Sequence, residues 1–549
     1  MRDKSTNTLL YPENKLDLIA TGEPCVTLVD GKPCDTQTVP GRKSGYGRPT
    51  FCLLFSCLSS GITQASNVFH AVVVNFPQRH VETFINNSFI DHYSISLTHS
   101  HLSVLWGVIN GIPIAVAIIA TLSMRWSAET MGRKAALFYY HTALNATACA
   151  MSFAAKSVGS IELFLAARIL CGIPFGIGVS LSSLYITECS PPEHRGKTGA
   201  FIGICGTSTF TFGFILMLPQ LLGTEDLWHY TYIVCICVCG VEALIAFCYL
   251  PESPKYLYIT KRDESGAETA VRRLFGPGHC AKDVFERFDA EAKQASHAVS
   301  VSFSYIFRHY HLRQGLFVGC AAALGRCMCG VNIMYIYSVE LINTALQVDL
   351  QTAKYISVAM TAPQLIACAI TMVIIDRVRR RCLFLGTLGA TIILYCIFVI
   401  FSVAYESGLL SPTSTSGPAL LYTSIACLVV AGWIFPLGLT PIGFTLVAEM
   451  TPQSVRSRAV ATAMMCLYLG FLLQIFTFPI LNDAIAAPSV LILVVIPESL
   501  VWVYLYWNMP ETQGRSVDQI IQQWIDFDES KRVMVNGEGN ELIGTEKVT

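Results

Sequence analysis

The chain has 549 residues, of which 53% are hydrophobic and 14% charged, and its mean hydropathy is +0.51. Soluble globular domains carry about 25% charged residues, so this composition excludes that class of protein. The net charge of -1 gives no support for a nucleic-acid partner. The chain is therefore expected to lie in a lipid bilayer.

Uncharged apolar runs recur along the whole chain. Crossing about 30 Å of hydrocarbon takes a helix of roughly 20 residues. About twelve runs of that length start near Phe51, Leu102, Ala135, Ile161, Thr198, Trp228, Leu312, Ala353, Cys382, Ala419, Ala459 and Ser489. The runs are continuous and lack the strict alternation of strands. The sequence thus predicts an all-α membrane protein with twelve transmembrane helices.

The placement of basic residues predicts how the chain lies in the membrane. The short connections on the side of the N-terminus carry most of them, among them Arg133, Lys134, Arg195, Lys197, Arg379, Arg380, Arg381 and Arg456. By the positive-inside rule both termini are expected in the cytoplasm, and the plasma membrane is the expected location. Asn86, in the triplet Asn-Asn-Ser, then falls in the first external loop and is the expected glycosylation site.

Two motifs occur twice, once in each part of the chain. The pattern E-x-[ST]-P-x-x-x-R begins at Glu188 and again at Glu449, about 260 residues later. The pattern P-E-[ST] begins at Pro251 and at Pro510, with nearly the same separation. Such parallel repeats predict two bundles of six helices related by an axis along the membrane normal.

The repeats divide the chain into five parts. These are a cytoplasmic N-terminal tail at 1–50, a first bundle at 51–250, a cytoplasmic helical linker at 251–311, a second bundle at 312–510 and a cytoplasmic C-terminal tail at 511–549. Amphipathic, charged patterns in the linker predict short helices. Both tails are polar, and we expect them to be mobile.

The 21 cysteines lie almost all in apolar runs. Cys235, Cys237 and Cys239 alternate within one apolar run, with no histidine or acidic companion between them. We interpret these side chains as small hydrophobic residues, and no disulfide framework, metal site or cofactor is expected.

Further motifs accompany the repeats and carry a family resemblance. They are Gly132-Arg133-Lys134, Arg168 with Gly172 and Gly176, Asp226-Leu227-Trp228, the Pro251 and Pro510 motifs, and Asp376 to Arg381. With these motifs the chain resembles the sugar porters of the major facilitator superfamily, and most of all the facilitative glucose transporter branch, from about Phe51 to Ile520.

The resemblance implies alternating access to a solute site between the two bundles, near the bilayer midplane. It also implies a cytoplasmic gate in which guanidinium and carboxylate groups of facing bundles pair when the gate is shut. The residues that it assigns to the gate are Arg133, Glu188, Arg195, Asp376, Arg380, Arg381, Glu449 and Arg456. The repetition of these charges favours the gate over charges that merely set the topology.

The seventh span departs from the family pattern where sugar is expected to bind. Arg326 and Cys327 stand where the glucose transporter branch usually carries two glutamines. Asn332, Tyr337 and Gln364 match the pattern. All five are candidate solute-binding residues.

Other expected polar positions are also replaced. The resemblance places Gly203, Pro436, Leu467 and Phe471 where polar or acidic side chains are usual, and Phe444 where a tryptophan is usual. Phe444 is kept as a candidate solute contact. The loss of several side chains that would hydrogen-bond sugar hydroxyl groups is expected to weaken hexose binding.

Arg326 and His70 can each have one of two roles. Arg326 either lines the central cavity, where it would favour a negatively charged or planar acceptor, or is a structural cation paired within the protein. His70 is a further candidate solute contact in the first span, where proton-coupled sugar porters carry an aspartate. It either titrates or, beside Arg168, stays neutral, and the neutral form favours a facilitator.

The sequence thus predicts a facilitative transporter of a hexose or a related sugar or polyol. An organic-anion carrier, for a urate-like compound or a carboxylate, and a relative that senses without transporting are the alternatives. An enzyme is not expected, because no nucleophile with a paired base is found. The expected partners are the solute and the bilayer.

Overall fold

The structure is a computed structural model that describes residues 50–191, 194–276, 280–297, 302–374, 377–407, 417–515 and 517–528. The tail predicted at 1–50 lies outside the described residues except for Thr50. Every long secondary-structure element among the described residues is a helix.

Eight α-helices form the first part. They are α1 (Phe51–Val72), α2 (Gln78–Tyr93), α3 (His99–Thr130), α4 (Arg133–Ala135), α5 (Thr142–Val158), α6 (Ile161–Cys189), α7 (Arg195–Leu216) and α8 (Thr231–Tyr249). A π-helical turn, Ala136–His141, joins α4 to α5, so the two form one continuous pass. A short 3-10 turn, Trp228–Tyr230, leads into α8.

Three helices follow in the linker: α9 (Glu264–Phe275), α10 (Ala281–His297) and α11 (Phe303–Arg308). The second part contains α12 (Tyr310–Met328), α13 (Val331–Leu346), α14 (Leu350–Thr361), α15 (Gln364–Ile374), α16 (Arg380–Glu406), α17 (Gly417–Met450), α18 (Gln453–Ile485), α19 (Pro488–Val490) and α20 (Ile496–Asn508). A π-helical turn, Leu491–Val495, joins α19 to α20.

Side chains just before several helices explain where these helices begin. Thr50, Thr98 and Ser160 precede α1, α3 and α6, and each accepts a hydrogen bond from the backbone N–H three residues later. Such caps satisfy backbone donors that have no partner inside the helix.

Within the described residues, nine segments are long and apolar enough to cross a membrane, and Phe51–Ser66 and Phe201–Leu216 are shorter apolar helices. The continuous pass from α4 to α5 brings the number to twelve. The α12–α13 and α14–α15 pairs each form one interrupted pass. The prediction of an all-α protein with twelve membrane helices is confirmed.

Small residues allow close packing inside the first bundle. A Cβ atom at Gly172 of α6 would lie 2.6 Å from the backbone oxygen of Pro113 in α3. Side chains larger than hydrogen would therefore push these helices apart, as is usual where membrane helices pack by van der Waals contact.

The linker and the described part of the C-terminal segment pack at the same membrane end. Leu274 of α9 is buried, and its backbone oxygen accepts a 2.7 Å hydrogen bond from the Thr50 hydroxyl at the start of α1. A helix at 517–528 buries Ile520 and Trp524, and Trp524 lies against Gly315 of α12. The expectation of a wholly mobile tail at 511–549 is therefore wrong for 517–528, because apolar side chains anchor that segment.

Candidate functional site

The gate residues predicted in the first bundle meet at the membrane end that carries the repeated motifs, called here the motif end. Arg133 donates to both carboxylate oxygens of Glu188, at 3.0 and 3.2 Å. The two side chains are 13% and 8% exposed. The Arg133 guanidinium also lies 4.7 Å from the centre of the Tyr256 ring. The result is a buried, bidentate ion pair, the strongest type of charged hydrogen bond.

The second bundle repeats this arrangement with more exposure. Arg380 pairs with Glu449, and each side chain is 26% exposed. Arg381 donates to the backbone oxygen of Tyr506 at 2.6 Å. In this conformation Arg133–Glu188 and Arg380–Glu449 each lie within one bundle, and pairing across facing bundles in a shut gate stays a prediction.

Three other predicted gate residues have different outcomes. Arg456 donates to the backbone oxygen of Thr451 at 3.4 Å, at the junction of α17 and α18. Arg195 begins α7, but its side chain is not among the described parts of the chain. Asp376 lies outside the described residues.

The second repeated motif supplies two further members of these charged clusters, which sequence reasoning missed. Glu252 accepts a hydrogen bond from the Lys134 backbone N–H at 2.9 Å, and Glu511 accepts one from the Arg380 backbone N–H at 3.0 Å. Burial raises the pKa of the Glu252 carboxyl above its ordinary value of 4.5. The P-E-[ST] repeat was the available signal, because both glutamates follow its proline.

A break in the seventh pass places the candidate solute residues of the second bundle. Gly330, between α12 and α13, has φ +75°, and a Cβ atom there would lie 2.9 Å from the Tyr395 ring. Glycine adopts this left-handed conformation without strain. Asn332 donates to the backbone oxygen of Cys327 at 3.1 Å and to its Sγ at 3.4 Å. In this conformation Asn332 thus holds the break, and Cys327 is buried.

Arg326 belongs to α12, one turn before this break, and its side chain packs against α17. Its side chain is partly exposed, and its guanidinium lies 5.7 Å from the centre of the Phe435 ring. Gly443 of α17 makes room for it, because a Cβ atom there would lie 2.9 Å from Arg326 Cδ. Phe444 is the next residue of α17, but its side chain is not described.

Gln364 and Tyr337 are buried and use their polar groups inside the protein. Gln364 begins α15, and its Oε1 accepts a 2.7 Å hydrogen bond from the Tyr335 hydroxyl. The Tyr337 hydroxyl donates to the backbone oxygen of Ile475 at 2.7 Å. Neither group is directed at solvent in this conformation, so a role in solute binding requires these hydrogen bonds to be exchanged.

His70 lies apart from the Arg326 group, inside the first bundle. Its Nε2 is 2.7 Å from Asn145 Oδ1, and its backbone oxygen accepts a 2.8 Å hydrogen bond from Arg168. His70 and Arg168 line a cavity at the junction of the bundles, together with Ile336 and Phe471 of the second bundle. The cavity measures ≈ 20 Å³, enough for about one water molecule. A sugar requires the bundles to separate here.

The comparison with known families decides the identity of the chain. A family model described as "Sugar (and other) transporter" matches residues 57–524, which span both bundles and the linker. The chain belongs to this sugar transporter family. The resemblance predicted from the motifs is confirmed, and the chain is a multi-pass membrane transporter.

Relatives in this family cover most of the chain. The mouse protein "Solute carrier family 2, facilitated glucose transporter member 9" is 26% identical over 457 residues, 83% of this chain and 82% of the relative. The sheep "facilitated glucose transporter member 3" is 25% identical over 480 residues, 87% of this chain and 93% of the relative.

The sugar transporter fold is also found among solved structures. A structure of the xylose transporter XylE from E. coli, in a partially occluded inward open conformation, has a TM-score of 0.67 at 16% identity. It covers 84% of this chain and 99% of its own. At this identity the likeness supports the two-bundle fold alone.

The two bundles of this sugar transporter family member touch at the membrane end opposite the motif end, called here the far end. Asn75, just after α1, donates to the Tyr335 backbone oxygen and to the Ser338 hydroxyl, both at 3.1 Å. Ser103 of α3 bonds Asp483 of α18. These contacts join the first bundle to the second, so the far end is closed in this conformation.

Two buried carboxyl groups were also missed by the sequence analysis. Glu242 of α8 bonds the Thr63 hydroxyl, and Glu498 of α20 accepts a 2.6 Å hydrogen bond from the Thr391 hydroxyl. Both side chains are fully buried. Single acids within apolar runs were the signal, because an ionisable group inside the membrane is costly and usually functional.

The structure places Asn86 in helix α2 rather than in an open loop. Its Oδ1 accepts a 2.9 Å hydrogen bond from the Leu97 backbone N–H, and Ser88 of the same triplet is buried. Glycosylation at Asn86 stays a prediction, and it would require this segment to be modified before it packs.

Proposed function

We propose that this chain is a facilitative transporter that carries a hexose, or a related sugar or polyol, across the membrane by alternating access. The observation that carries the proposal is the family match across both bundles, together with closely similar charged clusters at their motif ends. The glucose transporter relatives support a sugar as the solute. No ATP-binding loop of the type GxxxxGK[ST] occurs in the sequence, which favours passive transport.

The charged clusters act by keeping each bundle rigid while the bundles rock. Arg133–Glu188 ties α4 to the end of α6, and Arg380–Glu449 ties α16 to the end of α17. Each bundle then moves as a body, and the contacts of Asn75 with Tyr335 and Ser338 break when the far end opens. Movement of packed bodies about a central site is the usual form of alternating access.

The solute site is formed by side chains that line the space between the bundles. Arg326 is partly exposed, and its guanidinium can donate to sugar hydroxyl groups. Gln364 and Tyr337 join when their present hydrogen bonds are exchanged, and Asn332, Cys327, His70 and Phe444 complete the candidate set.

The motif end faces the cytoplasm, because the basic connections lie there. Both termini are then cytoplasmic, the far end is extracellular, and the plasma membrane is the site of action. Asn86 lies on the extracellular side, where glycosylation would occur. Closure of the far end makes the described conformation one that is shut to the outside.

The decisive experiment is uptake of labelled hexoses, polyols and organic anions into liposomes containing the purified protein. We expect saturable hexose or polyol uptake, at least about tenfold reduced in Arg326→Ala because a side chain that donates to the solute is lost. Arg272→Ala is the matched control, since Arg272 is an exposed linker residue paired with Glu268. Uptake of anions instead, lost in Arg326→Ala, would replace the sugar by an anion as the solute.

A second arm separates passive transport from the other mechanisms. A facilitator equilibrates the solute without accumulating it, whether or not a proton gradient is imposed. Accumulation driven by the gradient would contradict the passive mechanism. Solute binding without any uptake would identify a sensor.

A further inference from the structure

Three helices of the first bundle bring nitrogen and sulfur side chains together in its interior. Asn145 and Cys149 lie one turn apart on α5, and Cys235 and Cys239 lie one turn apart on α8, so each pair shares a helix face. His70 of α1 lies against both pairs. A ring nitrogen of His70 and the Sγ atoms of Cys149 and Cys235 all lie within 4.8 Å of one another.

The distances suit one metal ion. His70 Nε2 is 3.3 Å from Cys149 Sγ. Tetrahedral zinc, with bonds of about 2.3 Å to sulfur and about 2.0 Å to nitrogen, places neighbouring nitrogen and sulfur ligands about 3.5 Å apart and two sulfurs about 3.8 Å apart. The cluster therefore needs small side-chain shifts rather than helix movement to close around an ion.

We propose that His70, Cys149 and Cys235 bind a soft divalent cation of the Zn²⁺ class, with Asn145 Oδ1 as the fourth ligand. Thiolate and imidazole ligands select such ions over Mg²⁺ and Ca²⁺, which prefer oxygen. The proposal does not depend on which solute the transporter carries.

The charges of this set balance. Both thiols lose their protons on binding, so two thiolates neutralise the two charges of the ion and two protons are released. A neutral complex is the least costly form inside a bilayer, particularly here, where Arg168 already contributes a positive charge beside His70.

His70 can present the required nitrogen. In the metal-free protein its Nε2 faces Asn145 Oδ1, whereas its buried Nδ1 has no hydrogen-bond partner among the described residues. Moving the ring proton from Nε2 to Nδ1 frees the Nε2 lone pair for the metal and changes no charge. The same ring borders the cavity between the bundles, which has room for about one water molecule.

The test uses the full-length protein in lipid nanodiscs, incubated with ZnCl₂ or CoCl₂ and then desalted. We expect about one Zn²⁺ per chain, and absorption from thiolate-to-cobalt charge transfer in the Co²⁺ sample. In Cys149→Ser and in Cys235→Ser the retained Zn²⁺ falls at least about tenfold and the charge-transfer band is lost. Cys237→Ser is the matched control, because Cys237 lies on the same helix but is exposed, and it keeps both signals.

Three results would overturn the site. The first is wild-type protein without a thiolate–cobalt band, which decides the matter even if a variant fails to fold. The second is a band that persists in the double variant Cys149→Ser/Cys235→Ser, since the thiolates would then lie elsewhere. The third is a Cys149–Cys235 disulfide in freshly purified protein, detected by mass mapping without reductant.

Discussion

At their motif ends, the two bundles use the same contacts. In the first, Arg133 pairs with Glu188 while Glu252 accepts from the Lys134 backbone. In the second, Arg380 pairs with Glu449 while Glu511 accepts from the Arg381 backbone, and from that of Arg380 as well. Even the next basic residue agrees, since Lys134 and Arg381 each donate to a carbonyl near the end of the last helix of their bundle.

The first passes of the two bundles differ. The first pass of the first bundle, α1, is one helix that carries His70. The corresponding pass of the second bundle is broken at Gly330, next to Arg326. The motif ends therefore carry contacts common to both bundles, whereas the first passes differ between them.

The largest expected effect concerns the more buried ion pair. Glu188→Gln leaves the Arg133 guanidinium, 13% exposed, without its counter-charge. We expect a loss of about 3 kcal/mol in the free energy of unfolding and loss of uptake, measured by denaturation in detergent and by liposome flux. The exposed pair of Arg272 and Glu268 provides the control, and Glu268→Gln should change little. Unaltered stability in Glu188→Gln would show that the pair does not hold the bundle.

The break in the second bundle is tested by Gly330→Ala. The substitution forces a side chain into a conformation with φ +75° and into the Tyr395 ring. We expect about 2 kcal/mol of destabilisation, measured in the same way. Gly159→Ala is a useful comparison, because Gly159 has φ +76° but no described atom lies within 4 Å of the place that an alanine Cβ would take. Equal effects at both sites would remove the role of the Tyr395 contact.

A smaller effect is expected for the ion pair of the second bundle. Glu449→Gln leaves Arg380 with 26% of its side chain exposed, so water compensates part of the lost interaction. We expect about 1 kcal/mol of destabilisation. If Glu449→Gln lowered the free energy of unfolding as much as Glu188→Gln does, the difference in burial would not distinguish the ion pairs of the two bundles.

The smallest effect is a pH dependence at Glu252. Its folded-state pKa is raised above 4.5 by burial, so the folded protein holds this proton more tightly than the unfolded chain does. The corresponding stability is fully present below pH 4.5 and is lost as the pH rises through the folded-state pKa. The free energy of unfolding of the wild type, relative to that of Glu252→Gln, should therefore be greatest in acid. A difference between the two proteins that does not vary with pH would contradict this assignment.

Local patterns in the sequence were sufficient to predict the architecture. The length and hydropathy of each run predict a membrane pass, and repeated motifs predict two bundles, because both signals depend on residues close together in the chain. The same motifs located Glu188 and Glu449. They did not reveal that each pairs within its own bundle, which depends on how α4 and α16 lie against α6 and α17.

The sequence by itself thus determined the helical membrane class, the number of passes, the two-fold repetition and the family. Tertiary structure alone decided which distant side chains meet: Arg133 with Glu188, Tyr335 with Gln364, and His70 with Cys149 and Cys235. Residues far apart in the chain come within bonding distance through helix packing, which depends on the combined shape of many side chains. For that reason Cys235 looks like an ordinary apolar residue in its own run and like a metal ligand once α1 and α5 are packed beside it.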